Sequence, residues 1–439
     1  MRILQITAGA ASMYCGSCIR DNALAAALMA KGHDVLLVPL YTPTLTDENN
    51  VSGPRVFFGG ISIFLQQKLS LFRYTPPMLD RLWDSRWALH LASNHSIPTN
   101  PRFLGELTVS MLKGQSGYQR KELDKLLDWL QNQPRMEVVT LPYTLLIGLA
   151  KPIREALGCP VCCTLQGEDL FLEGLPEPYR SQALDLIRSQ LRYVDRFFPV
   201  SHYYAEFMKR YLGISSEKME VVPLGINLEG YPPTPREKPG VFTIGYFARV
   251  GPEKGLHQLC EAYRLFRGMA GIEAARLEVA GYLAPEHKGY LQRLTSQMSD
   301  WGLSDEFHYR GVLDREAKIR FLQGLSVLSV PSPYVEPKGN YLLESMACGV
   351  PVVQPQHGAF PEIIEKTEGG WLYEPGDTRA LAEKLFRLAT DAAALDRLTL
   401  AGFRTVRDRY DVVHMADRAG AVLQAVIRDA EPGGTSASR

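Results

Sequence analysis

The sequence predicts an α/β protein made of two doubly wound domains in tandem. Strand-like and helix-like runs alternate along most of its 439 residues. The alternation stops once near the middle, at INLEGYPPTPREKPG, whose four prolines and two glycines are typical of a linker. Because strand–helix alternation produces parallel sheets, we expect two Rossmann-like domains with an interdomain cleft. Ligands of such sheets bind beyond the carboxyl ends of the strands, so that cleft is the expected site.

The first half begins with a strand from Arg2 to Thr7, a glycine-containing loop, and a helix that ends at Gly32. A glycine directly after a helical run is a common helix terminator. Apolar runs bounded by turn residues predict the strands. In order, these runs read RILQIT, DVLLVPL, MEVVTL, CPVCCTL, DRFFPVS and MEVVPLG.

The second half repeats the pattern after the linker. Its predicted strands read VFTIGYF, RLEVAG, FHYRGV, LSVLSVP and PVVQP. Helical periodicity then continues from about Thr378 to Ala430, and EPGGTSASR has the composition of a disordered tail.

These patterns predict five segments. Residues 1–228 form an N-terminal Rossmann-like domain, with a helical insertion at about 53–134. Residues 229–240 are the linker, and 241–410 form a C-terminal Rossmann-like domain. Residues 411–430 form a last helix, and 431–439 form the tail.

Composition excludes several classes of protein. Lys plus Arg and Asp plus Glu both number 48, so the net basic field of a nucleic-acid-binding protein is absent. Seven cysteines in a chain of this length do not form a disulfide framework and fit a reducing cytosol. We expect neither a signal peptide nor a membrane-spanning run. The expected location is cytoplasmic, with contact at the inner membrane face as an alternative.

The segment VPSPYVEPKGNYLLESMACGVPVVQP has the strongest chemical signal. A helix that starts near Gly339 leaves the backbone N–H groups of Gly339, Asn340 and Tyr341 unpaired, which predicts an anion site. Glu336 on the preceding loop can accept hydrogen bonds from sugar hydroxyls, and Glu344 in the second turn can accept two from a ribose diol. The alternative is a pair of ordinary solvated glutamates, but the strand–loop–helix context favours a site.

A second motif, FTIGYFARVGPEKGLHQL, places Arg249 and Lys254 in a loop before a helix. Two cations at such a point suit a diphosphate. The alternative is a pair of surface cations. A positive charge there opposes the helix dipole unless an anion is present, which favours the binding role.

Together these motifs resemble glycosyltransferase family 4, whose members have the GT-B fold. The pair of glutamates in EPKGNYLLE resembles the family signature, and FARVGPEKG resembles its phosphate-binding loop. HYRGVL, HGAFPEII and the opening glycine loop followed by AAALMAKGHDV resemble further family segments. The resemblance covers nearly the whole chain and is weak from about Gly53 to Pro134.

The resemblance implies that the N-terminal domain binds the acceptor, that the C-terminal domain binds the nucleotide sugar and that the helix 411–430 packs back on the first domain. It also implies a role for each motif. Arg249 and Lys254 would hold the donor diphosphate, Glu336 the transferred sugar and Glu344 the ribose, while backbone near Val312 would contact the base. Transfer would retain the anomeric configuration and require no metal, and the only co-substrate would be the nucleotide sugar. Glu336 would act as a positioning group and not as a nucleophile.

The chain departs from the family pattern at two points in the first half. Relatives often carry two glycines in the first loop, whereas ASMYCGSC has only Gly16, beside Ser17. Relatives also often carry a histidine where CTLQGEDL has Gln166. Glutamine can bind a hydroxyl but cannot act as a base near neutral pH. Gln166, Glu168 and Asp169 are candidates for acceptor or sugar contacts, and a capping turn before the next helix is an equal alternative.

Two weaker signals have alternative interpretations. Cys15 and Cys18 form a single CxxC motif, for which a structural role is favoured over a redox or metal role. Phe72, Trp83 and Trp87 could meet a membrane or a lipid-linked acceptor, but their spacing equally fits packing, which we favour.

The sequence therefore predicts a glycosyltransferase that moves a sugar from a UDP- or GDP-hexose to a glycan, a lipid-linked acceptor or a small molecule. One alternative is a GT-B sugar-nucleotide epimerase or hydrolase, which would convert the donor with no acceptor added. Another is a non-catalytic nucleotide-sugar-binding protein. A nicotinamide oxidoreductase is disfavoured because no GxGxxG follows a strand.

Overall fold

A computed structural model describes residues 1–9, 14–59, 63, 66–67, 101–235 and 239–431. Contacts within the chain divide it into two compact units. The first unit comprises Met1–Pro223 with the C-terminal segment from Met415, and the second comprises Leu224–His414. The central part of the expected insertion, with Phe72, Trp83 and Trp87, lies outside the described residues, as does the tail from residue 432.

The first unit is built on a five-stranded parallel sheet with strand order β2-β1-β3-β4-β5. Its strands are β1 (Arg2–Thr7), β2 (Asp34–Pro39), β3 (Val138–Leu141), β4 (Val161–Leu165) and β5 (Arg196–Pro199). Every residue of β3 and β4 is buried. Continuous burial is typical of parallel strands that helices cover on both faces.

The helices of this unit begin and end at ordinary signals. Ser201 caps one helix by accepting from the backbone N–H of Tyr204, and left-handed glycines at 158 and 213 end two others. They are α1 (Gly16–Ala30), α2 (Pro101–Leu112), α3 (Arg120–Gln131), α4 (Ala150–Leu157), α5 (Asp169–Glu173), α6 (Tyr179–Gln190) and α7 (His202–Leu212). Short 3₁₀ turns lie at Gly114–Ser116, Thr144–Leu149, Leu191–Tyr193 and Ser216–Lys218.

The second unit has a six-stranded parallel sheet with strand order β11-β10-β9-β6-β7-β8. Its strands are β6 (Phe242–Phe247), β7 (Ala275–Ala280), β8 (Phe307–Tyr309), β9 (Val327–Leu328), β10 (Val352–Pro355) and β11 (Gly370–Tyr373). Its helices are α8 (Leu256–Arg267), α9 (Lys288–Asp300), α10 (Arg315–Gln323), α11 (Asn340–Ala347), α12 (Phe360–Thr367), α13 (Thr378–Thr390) and α14 (Ala392–Arg409). The 3₁₀ turns here are Pro252–Lys254, Pro285–His287 and Ser304–Glu306.

The last helix, α15 (Val412–Ala430), belongs for most of its length to the first unit. Ion pairs join it to that unit at Lys31–Asp417 (2.6 Å) and Arg418–Glu220 (2.7 Å). No helix among residues 1–9, 14–59, 101–235 and 239–431 is both long and apolar enough to cross a bilayer.

The fold class predicted from the sequence is confirmed, and two details differ. The expected strand at Met219 is a single bridge to Phe197, because the chain beyond it is irregular. The sequence analysis also missed β11. That strand has only four residues and begins with a glycine, so its apolar run is too short for a period to show.

Candidate functional site

The sheet of the second unit brings the two motif loops together. Strands β7 and β8 lie on one side of β6, and the chain then crosses to place β9 on the other side. β6 and β9 pair directly, Ile244 with Val327 and Gly245 with Leu328. The loops that leave their carboxyl ends therefore start side by side, at the switch point where doubly wound sheets bind ligands.

Gly255 lets the Lys254 loop approach the end of the neighbouring strand. Its φ of +73° is left-handed, and a Cβ placed there would lie 1.8 Å from the carbonyl oxygen of Pro331. Only glycine fits both demands, the positive φ and the close approach of backbone. Gly255 also separates the 3₁₀ turn that ends at Lys254 from α8. The backbone thus fixes Lys254 beside the segment that carries Glu336.

Lys254 and Glu336 form an ion pair, with Nζ in contact with Oε1. The Glu336 side chain is 4% exposed and that of Lys254 is 15% exposed. The hydroxyl of Ser332 donates to the same Oε1 at 3.2 Å. A buried carboxylate is tolerated when it is paired and hydrogen-bonded, and both conditions hold here.

The backbone of Glu336 is held by the loop after β10. Its carbonyl oxygen accepts from the N–H of Ala359 at 2.8 Å. Gly358 has φ +62°, and a Cβ on it would lie 2.3 Å from the same carbonyl oxygen. His357 Nε2 lies 2.9 Å from the carbonyl oxygen of Ser332. Glu336 is therefore fixed from both its side chain and its main chain.

Helix α11 begins immediately after this loop. Its N-cap, Gly339, has no side chain with which to bind the N–H groups of the first turn. Asn340 Oδ1 and the Tyr341 hydroxyl are buried with no hydrogen-bond partner among the described residues. Burial, together with nearby Glu336, raises the pKa of Tyr341 well above its ordinary value. The helix start has the polar, uncapped character of an anion site.

Arg249 lies on the same loop as Lys254 but binds a different carboxylate. Its Nη2 is 2.8 Å from Oε1 of Glu253, and its side chain is 44% exposed. The hydroxyl of Tyr246 donates to the carbonyl oxygen of Arg249 at 2.9 Å, which holds the loop backbone. The structure thus places Lys254 at Glu336 and Arg249 at Glu253.

Glu344, in the second turn of α11, is bound by a lysine that the sequence analysis did not single out. Lys318 Nζ lies 2.7 Å from Glu344 Oε1, and the Tyr231 hydroxyl lies 3.5 Å from the same oxygen. Lys318 shares the buried face of α10 with Ile319 and Leu322. A lysine at an apolar position of a helical stripe was a signal that could have revealed it.

Val312 follows β8 in a separate loop. Its side chain is 51% exposed. The preceding Gly311 has φ +73°, and its carbonyl oxygen accepts from Gly281 N at 2.8 Å. That bond joins the loop after β8 to the loop after β7, both at the carboxyl edge of the sheet.

In the first unit, Gln166, Glu168 and Asp169 lie between β4 and α5. Glu168 is buried and accepts from the backbone N–H groups of Gln166 (2.9 Å), Gly167 (3.0 Å) and Thr144 (3.2 Å). Gln166 donates through Nε2 to the Pro142 carbonyl at 2.8 Å, while its Oε1 is buried with no partner among the described residues. The Glu168 carboxylate therefore organises the backbone of this loop.

A tyrosine from α7 joins the two acids of this loop. The Tyr204 hydroxyl lies 2.7 Å from Asp169 Oδ1 and 3.2 Å from Glu168 Oε2. Burial raises the pKa of Glu168 above its ordinary value, against the lowering effect of the backbone N–H groups. Desolvation of the charged form outweighs the hydrogen bonds.

Gly16 is the first residue of α1, between the two cysteines of the CxxC motif. Cys18 is buried and Cys15 partly exposed, and neither forms a disulfide. A hydrogen bond with Cys15, together with burial, raises the pKa of Cys18 far above its ordinary value. Within the described ranges, no group of three or more His, Cys, Asp and Glu side chains is arranged to hold a metal ion.

Two family models match the chain in succession. The model described as "Glycosyltransferase Family 4" matches residues 108–229, and "Glycosyl transferases group 1" matches residues 232–404. The second match contains Arg249, Lys254, Glu336 and Glu344. The chain belongs to the family 4 type of GT-B glycosyltransferases. The resemblance predicted from the motifs is confirmed.

Glycosyltransferase relatives match parts of the chain. The amylovoran biosynthesis glycosyltransferase AmsK of Erwinia amylovora is 30% identical over 217 residues, 47% of this chain and 50% of that one. The phosphatidyl-myo-inositol mannosyltransferase of Mycobacterium leprae is 29% identical over 222 residues, 48% of this chain and 55% of that one. The chain spans about half the length of these relatives. A GDP-mannose-dependent monoacylated α-(1-6)-phosphatidylinositol monomannoside mannosyltransferase of Corynebacterium glutamicum is 26% identical, over 65% of this chain and 74% of that one.

Solved glycosyltransferase structures share the fold. Sucrose-phosphate synthase of Thermosynechococcus elongatus aligns with a TM-score of 0.69 at 18% identity, over 98% of this chain and 99% of that one. Anabaena HepE, solved in complex with UDP and glucose, aligns with a TM-score of 0.67 at 17% identity, over 97% and 100%. At these identities the likeness shows the fold alone.

Proposed function

We propose that this glycosyltransferase transfers a hexose from a UDP- or GDP-linked donor, with the donor bound by the second unit. The observation that carries the proposal is the buried Lys254–Glu336 pair, which lies where α11 begins. A lysine ammonium, uncapped backbone N–H groups and a carboxylate are together suited to a sugar diphosphate. The cation and the helix start face the phosphates, and the acid faces the sugar hydroxyls.

The donor contacts are those that the family resemblance implies, and the chemistry of the groups suits them. Lys254 and Arg249 bind the diphosphate, and the N–H groups of Asn340 and Tyr341 donate hydrogen bonds to its oxygens at the helix start beside Gly339. Glu336 binds hydroxyls of the transferred sugar, Glu344 binds the ribose, and backbone at Val312 contacts the base. Charge that grows on the leaving diphosphate is stabilised by groups already in place, which is the main source of rate in such sites.

Transfer proceeds with retention and without a metal. Glu336 acts as a positioning group and not as a nucleophile, because the ion pair with Lys254 and the hydrogen bond from Ser332 stabilise its charge and make it less nucleophilic. We infer that the leaving phosphate accepts the proton of the acceptor hydroxyl on the same face of the sugar. Lys254 and the helix start then supply the positive charge that a metal provides elsewhere.

The acceptor is a glycan or a lipid-linked sugar bound by the first unit. The names of the relatives support this class, since they include amylovoran biosynthesis and phosphatidylinositol mannosylation. Gln166 and Asp169 are the contact candidates. Gln166 Oε1 is buried without a partner in the part of the chain that the structure describes. Glu168 is a positioning residue, since its oxygens bind loop backbone.

The protein works in the cytoplasm, where nucleotide sugars are available, with its acceptor at the inner membrane face.

A thermal-shift screen with UDP- and GDP-linked hexoses identifies the donor, and transfer is then measured with candidate acceptors. We expect Glu336→Ala to abolish transfer and Lys254→Ala to weaken donor binding about 30-fold or more, from the loss of a charge-assisted bond. The exposed Arg379→Ala, which breaks only its pair with Glu383, is the control. Retained transfer in both site variants would refute the proposal.

A further inference from the structure

Helix α10 carries a lysine in an unusual place. The side chain of Lys318 is only 5% exposed, although lysine is among the residues least often buried. Two hydrogen bonds accepted by Asp314 define this end of the helix. The Asp314 side chain accepts from Ala317 N at 2.8 Å, and its carbonyl oxygen accepts from Lys318 N at 2.8 Å. The ammonium is thus brought into the interior of the second unit by a well-formed helix start.

The buried ammonium meets a carboxylate on the neighbouring helix. Lys318 Nζ lies 2.7 Å from Glu344 Oε1, and the Glu344 side chain is 15% exposed. Removing two charges from water costs several kcal/mol per ion, and their attraction offsets this only when the geometry is good. A buried ion pair of this kind is therefore weak evidence for a contribution to stability.

A third group reaches the same oxygen from another segment. The Tyr231 hydroxyl lies 3.5 Å from Glu344 Oε1. The Tyr231 ring is in turn covered by Arg315, whose guanidinium carbon is 5.5 Å from the ring centroid. Arg315 Nη2 donates to the carbonyl oxygens of Asn227 (2.8 Å) and Glu229 (2.7 Å). Arg315 and Lys318, one helical turn apart, thus hold the tyrosine and the glutamate.

These contacts are unevenly divided between the two carboxylate oxygens. Lys318 and Tyr231 both approach Oε1, and no described residue donates a hydrogen bond to Oε2. A carboxylate with one oxygen fixed has its plane and rotamer set, so the second oxygen keeps a defined direction for a ligand.

We propose that Lys318 is a positioning residue that aims Glu344 Oε2 at the ribose hydroxyls of the donor nucleotide. The inference rests on the proposed function, in which Glu344 binds the ribose. Lys318 itself does not touch the donor. It acts through Glu344 by restricting the carboxylate to one orientation, which lowers the ordering cost on binding. Lys318 therefore sets how strongly the protein prefers a ribonucleotide to its 2′-deoxy counterpart.

The test is isothermal titration calorimetry with UDP, 2′-deoxy-UDP, GDP and 2′-deoxy-GDP. We expect wild type to bind the ribonucleotide of its preferred base about 10-fold or more tightly than the deoxy form, as one charged hydrogen bond provides. In Lys318→Met, the ratio of the affinity for the ribonucleotide to the affinity for its 2′-deoxy form falls about fivefold or more. The affinity for the deoxy form itself changes less than about twofold. Lys318→Arg, which keeps the charge, recovers part of the ratio.

The control is Arg320→Met, on the same helix. Arg320 pairs with Glu316 on the exposed face, so its loss leaves the ratio unchanged. If Lys318→Met does not fold, Tyr231→Phe provides the same test with a smaller fall in the ratio, because its contact with Oε1 is longer.

Equal loss of affinity for the ribo and deoxy forms in Lys318→Met, or in Tyr231→Phe where that variant is used, would overturn the inference and leave a packing role. An unchanged ratio in Glu344→Gln would also overturn it. A wild-type protein that binds none of the four nucleotides would instead refute the proposed function, and the inference with it.

Discussion

The two units are both built on parallel sheets, but their buried carboxylates are bound by different kinds of group. In the first unit, Glu168 is surrounded by backbone N–H groups of its own loop and of Thr144. In the second, Glu336 and Glu344 are bound by lysines from other elements, Lys254 and Lys318. Backbone amides fix a loop, whereas lysine side chains are movable cations that can also serve a ligand.

This difference indicates that the carboxylates of the two units have different roles. A carboxylate satisfied by amides is a structural centre, because removing it leaves several buried donors unpaired. A carboxylate paired with a lysine beside an uncapped helix start is an assembly of both charge signs, as a sugar diphosphate requires. We therefore expect substitutions in the second unit to affect binding and transfer, and those at Glu168 to affect stability.

The largest expected effect comes from exchanging the charges of the Lys254–Glu336 pair. Lys254→Glu alone places two acids together and should lower the melting temperature. The double variant Lys254→Glu/Glu336→Lys restores opposite charges and should recover much of that loss. We expect transfer in the double variant to stay at least about 1,000-fold below wild type, because the cation no longer lies where we propose that the phosphates bind. Recovery of transfer together with stability would show that the pair serves the fold alone.

The next effect concerns the backbone that holds Glu336. Gly358→Ala should cost at least about 2 kcal/mol more in unfolding free energy than Gly376→Ala, because its Cβ would meet the Glu336 carbonyl. Gly376 is the matched control, since its φ of +81° is also left-handed but nothing lies within 4 Å of its Cβ. Urea unfolding measures both. Equal losses would mean that the close approach at Gly358 is easily relieved.

A smaller effect is the pH dependence of stability at Glu168. Its pKa is raised in the folded protein, so folding favours the protonated form. The stability contributed at low pH is lost as pH rises from the unfolded value of about 4.3 through the higher folded value. The melting temperature of wild type minus that of Glu168→Gln should therefore shrink between pH 4.5 and pH 8.

The control for this prediction is Glu173→Gln, at the end of helix α5, which directly follows Glu168. Burial would raise the pKa of Glu173, but hydrogen bonds from Tyr211 and Arg180 outweigh it and lower the pKa. The stability that the Glu173 charge contributes is fully present above about pH 4.3. The melting temperature of wild type minus that of Glu173→Gln should therefore stay constant from pH 4.5 to pH 8. If the melting-temperature difference for Glu168→Gln also stayed constant from pH 4.5 to pH 8, burial would not raise the pKa of Glu168 as we infer.

The smallest effect is expected from Tyr204→Phe, which removes the hydroxyl between Asp169 and Glu168. We expect a loss of about 1 kcal/mol in unfolding free energy and no change in nucleotide affinity. A change in nucleotide affinity of more than about threefold would contradict the assignment of nucleotide binding to the second unit and of a structural role to the Glu168 loop.

Much of the fold could be predicted because long apolar strands and helices repeat in order. The motif residues of the second unit could be proposed from sequence because each lies in a loop between a predicted strand and a predicted helix. The structure brings these loops together because β6 and β9 pair. Gly255 and Gly358 allow two backbone segments to lie close together, but the sequence does not reveal which segment each glycine contacts. Contacts between side chains were harder to predict. The partner of Arg249 is Glu253, four residues away, while Lys318 reaches Glu344 from a helix with no recognised motif.

The central claim is that a diphosphate binds at Lys254 and the start of α11. Calorimetry with UDP and UMP, and with GDP and GMP, tests it most directly. For the preferred base, the account predicts that wild type binds the diphosphate at least about 10-fold more tightly than the monophosphate, and that Lys254→Met removes most of this difference. Equal affinity for the two in wild type, or an undiminished preference in Lys254→Met, would contradict the account.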